Sequence, residues 1–173
     1  MKQAAVVDSS SLIFAFKIGE VGALLRKKYS CLVLPNAVYE EAVARGKERG
    51  FSEVEKIEAA IAEGFVKVEA VPPAKTAPQT ALGRGELEAI LLAAKKKADL
   101  LCDDRKAAAA AKLVGVNAFP LSAFVVAAAK QGVLPKKTAK KALDDLVLAG
   151  YRLKSDVYIR LANEIEKNSL TGN

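Results

Sequence analysis

Short apolar runs, each of strand length and each followed by a longer stretch of helical period, limit what this chain can become. The runs are residues 3–7, 31–34, 65–71, 99–102 and 116–119. Between them the pattern predicts helices. The first runs through residues 12–16 with Ser10 or Ser11 as its cap, and the second covers 21–28. A third covers 37–44 with Pro35 at its first helical position, and a fourth runs to Ala62 from a capping box at Ser52–Glu55. Two more cover 86–97, after Gly83-Arg84-Gly85, and 103–113. Beyond Pro120 only helices follow, at 122–130, 137–148 and 155–167, and residues 72–78 read as a loop too short to separate domains.

Strands separated by helices imply right-handed crossovers and a parallel sheet covered on both faces. The expected fold is therefore α/β: a three-layer α/β/α sandwich on a central parallel sheet of about five strands. Residues 1–120 form its core, and 121–173 form a C-terminal helical extension packed on the same domain. A length of 173 residues suits one domain.

The chain has no histidine and only two cysteines, Cys31 and Cys102. That removes Ser-His-Asp and Cys-His catalysis, histidine bases, zinc clusters and a disulfide framework. Carboxylate chemistry is what remains. A formal charge of +7 points toward polyanions, nucleic acid first. The N-terminal apolar run is stopped by Asp8, and the longest apolar stretch, 118–129, falls short of the ~20 residues of a membrane span. No membrane association is expected, and a cytoplasmic setting with free thiols follows.

In an open parallel sheet, ligands bind beyond the carboxyl ends of the strands, near a reversal of strand order. Asp8 directly follows the first strand, and Asp103 and Asp104 follow the fourth; Asp99 enters the fourth and belongs to the opposite edge. If strands one and four are neighbours, about 4.8 Å apart, their terminal acids can share an ion. Glu41, six residues after Pro35, and Glu86, at the entry of a helix, are two further candidates. Carboxylates gathered without histidine call for a divalent cation, and oxygen-only ligands select Mg²⁺ or Mn²⁺. Each acid also has a plainer reading. Asp103 or Asp104 can be a helix cap, Glu86 can complement a helix dipole, and Glu40 and Glu41 can be solvated charges. Asp8, closing a fully apolar strand, is poorly placed for solvation alone.

The succession Val6-Val7-Asp8-Ser9-Ser10, Leu34-Pro35-Asn36-Ala37-Val38-Tyr39-Glu40-Glu41, Leu82-Gly83-Arg84-Gly85-Glu86-Leu87-Glu88-Ala89-Ile90 and Leu101-Cys102-Asp103-Asp104-Arg105-Lys106 resembles PIN-domain proteins. It is most similar to a prokaryotic subgroup with added C-terminal helices, related to the toxin nucleases of toxin–antitoxin pairs. The tail Leu146-Val147-Leu148-Ala149-Gly150-Tyr151-Arg152-Leu153 is similar to that subgroup as well. The resemblance implies a Mg²⁺- or Mn²⁺-dependent ribonuclease with Asp8, Glu41, Glu86 and Asp104 as catalytic and metal-holding acids, and Asp103 as a further metal-holding acid. It further implies RNA as substrate, an antitoxin protein as partner and a homodimer, with helices at 12–16 and 118–129 offering apolar faces.

Ser9 and Ser10 stand near the expected ion, as water- or substrate-binding groups or as plain helix caps. Arg84, Arg105 and Lys106 stand at the expected mouth, with Arg45, Lys47 and Arg49 as further cationic rim. Many members carry another acid after the fifth strand, where residues 117–122 have none. That departure keeps an alternative open: the same fold as an RNA- or protein-binding module with a weakened metal site. A receiver-like phosphoacceptor at Asp8 is a further rival, although it leaves the Gly85-Glu86 helix entry without a role.

Overall fold

The computed structural model describes residues 2–71 and 82–167. The apolar runs become the most enclosed strands. β1 (Ala5–Val7) and β2 (Leu32–Pro35) are buried along their whole length, and β4 (Asp99–Leu101) is buried except at its entry. β3 (Val66–Glu69) and β5 (Ala118–Phe119) are partly exposed, as befits edges. All neighbours pair parallel, in the order β3-β2-β1-β4-β5. Strand order reverses between β1 and β4, so the crevice where ligands bind in such sheets opens beyond their carboxyl ends.

Alternation along these strands divides the core in two. Val6, Val33 and Leu100 face one layer, made by α6 (Arg84–Lys96) and α7 (Arg105–Leu113). Ala5, Val7, Leu32, Leu34 and Leu101 face the other. That second layer holds α1 (Ser9–Lys17), α2 (Gly19–Lys28) and the short α3 (Asn36–Tyr39). It continues with α5 (Glu53–Ala62), α8 (Leu121–Lys130), α9 (Lys136–Leu148) and α10 (Ser155–Glu166). The three-layer α/β/α arrangement expected from the alternation is the one observed.

Several local expectations need correction. The cap of α1 is Asp8, whose Oδ1 accepts the Ser11 N–H at 2.7 Å, and neither Ser10 nor Ser11 fills that role. The capping box at Ser52 is not formed, because Ser52 already has helical backbone (φ −65°, ψ −25°). Glu53 instead turns inward, 2% exposed, toward the Lys17 ammonium at 3.5 Å. Pro35 is extended and stands one residue before its helix. The helix foreseen at 37–44 changes pitch: α3 passes into a π-helical turn, Glu40–Ala44, and then α4 (Arg45–Glu48). The apolar faces at 12–16 and 118–129 serve mainly the chain's own core, where Leu12, Ala15, Leu121 and Val125 are fully enclosed, while Ala127 is exposed. The loop expected at 72–78 lies outside the described residues.

Candidate active site

Register brings the two strand-end acids together. Val7 lies beside Leu101, and the Asp8 N–H continues the ladder onto the Leu101 carbonyl at 3.1 Å. At the next step the chains diverge into helices, and the Asp103 N–H reaches the Asp8 Oδ2 at 3.3 Å. Asp8, Glu41, Glu86, Asp103 and Asp104 line one cavity of about 760 Å³, with Ser9 and Ser10 in its wall. Acids up to 96 residues apart in sequence thus share one hollow at the carboxyl edge. Asp99 is at the other edge, as expected, accepting from the Tyr29 hydroxyl at 3.0 Å and the Asn117 amide at 2.8 Å.

Each acid is held by a donor of its own. Asp104 caps α7, its Oδ1 accepting the Lys106 and Ala107 N–H groups at 2.7 and 2.9 Å. Glu86 reaches back from the first turn of α6 to the Gly83 N–H at 2.9 Å, the reciprocal half of a capping box. Glu41 sits in the π-helical turn and accepts from the Ser9 hydroxyl. Its carboxylate lies against Gly85, where a Cβ would come within 2.9 Å of Oε2. The glycine between Arg84 and Glu86 is therefore a place for another residue's acid. Asp103 is the most enclosed by donors: the Leu121 N–H at 3.1 Å, the Ser11 hydroxyl at 3.2 Å and the Tyr151 hydroxyl. The plain readings, Asp104 as a helix cap and Glu86 as an acid in the first turn of its helix, both hold, and both residues still line the cavity.

Burial sets the electrostatics. Asp8 is 6% exposed, and desolvation lifts its carboxyl to about 6 from an ordinary 3.8, with the Ser11 N–H opposing and the Asp103 charge adding. Asp103 is also raised, first by burial, against the pull of the Tyr151, Leu121 and Ser11 donors. Burial and the neighbouring Asp103 push the Tyr151 phenol upward, so it stays protonated and donates. The Cys102 thiol is raised by burial and by Asp8, which makes it inert rather than nucleophilic.

Arg152 is the sole cationic side chain in the wall of described residues, against five acids. A hard dication suits an all-oxygen donor set with this much uncompensated charge. Among the described residues no three acids stand close enough together to hold an ion as the side chains lie. Asp104, Glu86 and Glu41 each have one carboxylate oxygen without a hydrogen bond there, so they fit such an ion in kind.

The expected cationic mouth is only partly present. Arg84 is turned to Glu88 at 2.8 Å and Glu40 at 3.9 Å, and Lys47 to Glu58 at 3.0 Å. Arg105 faces an adjoining cavity, and Lys106 is exposed. Arg45 and Arg49 are exposed and lie outside the wall. Gly150, Tyr151 and Arg152, from the turn between α9 and α10, do line the site and were not foreseen as site residues. The available signal was Gly150 itself, whose φ of +95° ends α9 and turns the chain back over the sheet edge.

A family model described as a PIN domain matches residues 4–167. Among solved structures, a PilT N-terminus domain protein from the hyperthermophilic archaeon Sulfolobus solfataricus P2 is 26% identical. The likeness covers 70% of this chain and 90% of that one, with a TM-score of 0.51. No curated protein matches the sequence. Because the family match runs through the sheet, the acidic edge and the C-terminal helices alike, the chain belongs to the PIN-domain family, whose members are generally nucleases.

Proposed function

We propose that this protein is a Mg²⁺- or Mn²⁺-dependent endoribonuclease that hydrolyses RNA phosphodiester bonds. The observation that carries the reading is Asp8. It is a nearly fully buried acid at the end of a central strand, bonded by the Asp103 N–H and sharing a cavity with Glu41, Glu86 and Asp104. A carboxyl so placed is costly to ionise alone, which makes the site one waiting for a cation.

Asp8 and Asp104, with Glu86 and Glu41 directly or through water, would hold the ion. When bound, the ion would lower the pKa of a water and offset charge on the phosphoryl oxygens. Glu41 lines the cavity, is oriented by the Ser9 hydroxyl on one oxygen and has no hydrogen bond on the other, which suits it to take a proton from the attacking water. Ser10, exposed at the rim, is placed to meet a non-bridging phosphate oxygen. Asp103 offers its carboxylate to the Leu121 N–H just beyond β5. It thereby stands over the position where many members carry their additional acid, as an orienting group.

The expected experiment is cleavage of single-stranded RNA with Mg²⁺, with Mn²⁺ and with chelator. Asp8→Asn and Asp104→Asn should each lose on the order of a hundredfold or more in rate. Cleavage surviving both substitutions, or surviving chelation, would overturn the proposal. The absence of an acid in residues 117–122 supports the second reading, a binding module with a weakened metal site. RNA bound but uncut under every metal would favour it. A toxin role, with an antitoxin partner, cytoplasmic action and a homodimeric state, extends the proposal on the strength of the resemblance alone. Growth arrest on expression, relieved by a neighbouring small protein, is its test.

A further inference from the structure

Beside the acidic cavity lies a second hollow of about 470 Å³ with the opposite character. The two adjoin across a shared wall, Asp103, Asp104, Tyr151 and Arg152, so a ligand seated in one lies next to the other. The far wall is supplied by the turn between α9 and α10, by the first turn of α10 and by α7. Leu153, Val157 and Pro120 give it an apolar floor, and Arg105, Arg152 and Lys154 give it cations. None of these three cations pairs with an acid among the described residues, whereas Arg84, Lys47 and Lys141 all do. The Tyr151 ring is held twice, by its hydroxyl on Asp103 and by a perpendicular contact with the Phe14 ring, with centroids 5.2 Å apart. The partition is therefore rigid, and it is anchored to the acids.

Resting on the nuclease reading, we propose that this hollow is a nucleotide subsite, seating the nucleotide next to the scissile phosphate of a single-stranded RNA. Its volume falls in the range of small-ligand sites, roughly 300–1,000 Å³. An apolar floor takes a base only when that base is unstacked, as in single strands. Arg152 and Lys154 take the phosphate that follows, and Arg105 adds a third cation to the same wall. The division of labour is physical: acids suited to a dication need a polyanion brought to them, and the cations that do this come mainly from the C-terminal extension. The sheet core supplies the chemistry, and the turn between α9 and α10 supplies the grip.

Binding separates this subsite from catalysis. Fluorescence anisotropy of a short labelled single-stranded RNA with the full chain in chelator reads affinity without cleavage. Arg152→Ala and Lys154→Ala should each weaken binding severalfold. Each should also make the slope of log Kd against log salt shallower by about 0.7, the share of one single-strand phosphate contact. Val157→Asp, which sets a like charge in the hollow, should weaken binding as well. Lys112→Ala, at the far end of the helix that begins at Arg105, should change neither quantity. Equal binding by all variants would overturn the subsite, as would competition by poly-glutamate as effective as by unlabelled RNA. Cleavage lost in Asp8→Asn while Arg152→Ala binds normally would remove the subsite alone. Cleavage retained in Asp8→Asn while Arg152→Ala binds poorly would remove the nuclease reading and leave an RNA site.

Discussion

Asp8 sets folding against chemistry in a single side chain. Its carboxyl is lifted from 3.8 to about 6, so between those values the folded chain holds a proton that the unfolded chain has released. Metal-free stability therefore falls as pH rises from about 4 to about 6, and the loss then stays constant. The lift corresponds to about 3 kcal/mol. In chelator at pH 7, Asp8→Asn should be more stable than the parent by about 2 kcal/mol, after about 1 kcal/mol is set against the acceptor lost to the Asp103 N–H. Urea titrations of both proteins at pH 4 and pH 7 check this, since the gain should vanish at the lower pH. Gly85→Ala makes the converse case. A Cβ there meets the Glu41 carboxylate at 2.9 to 3.2 Å, a flexible end that can swing away. The fold should tolerate the change with a thermal midpoint at or above the parent's, because Ala favours the helix by about 0.8–1.0 kcal/mol. RNA cleavage should nevertheless drop at least tenfold, consistent with a misplaced proton acceptor. Asp8 was legible in the sequence because an acid that closes an apolar strand has few other uses. Tyr151 was not, because its partner Asp103 is 48 residues away and nothing local announces the bond.

Helix and strand spans were largely readable from period, while the ways in which elements begin, bend and touch were not. The π-helical turn at Glu40–Ala44 has no marker in a run of good helix formers, yet it lies where Glu41 enters the site. Ser52 looked like a cap because Glu55 follows it at the right spacing. Tertiary packing won instead, since Glu53 is drawn inward toward Lys17, whose ammonium also lies 5.6 Å from the Phe14 ring centroid. The close approach of α1 and α2 is equally silent in the sequence and rests on Gly22. A Cβ at Gly22 would stand 2.9 Å from the Ala15 carbonyl oxygen, a backbone atom that cannot step aside. Gly22→Ala should therefore destabilise by about 1–3 kcal/mol, lowering the thermal midpoint by about 2–4 °C for each kcal/mol. Gly19, at the start of the same helix, has nothing within 4 Å of the same atom. Gly19→Ala should be neutral or slightly stabilising, and the pair of melting curves separates close packing from helix propensity.

The division into a core at 1–120 and an extension at 121–173 describes the sequence pattern better than the forces that hold the chain together. Leu121, Val125, Leu143, Leu146 and Ile165, all from α8, α9 and α10, belong to the same buried cluster as Val7 and Leu34 of the central strands. Removing them would uncover the layer that carries Asp8, and it would take away the Tyr151 hydroxyl and the Leu121 N–H that hold Asp103. Two buried carboxyls would then sit beside freshly exposed apolar surface, with some of their donors gone. A chain ending at residue 120 should accordingly fail to fold, showing no cooperative transition in far-ultraviolet circular dichroism and aggregating on expression. The intact chain should unfold in a single step, with near- and far-ultraviolet signals coincident, as expected when one core spans every element. A stable, folded 1–120 fragment, or two separate transitions in the parent, would show that the extension is a detachable addition. The grip on substrate assigned to Arg152 and Lys154 would then have to be tested on that fragment, which lacks both residues.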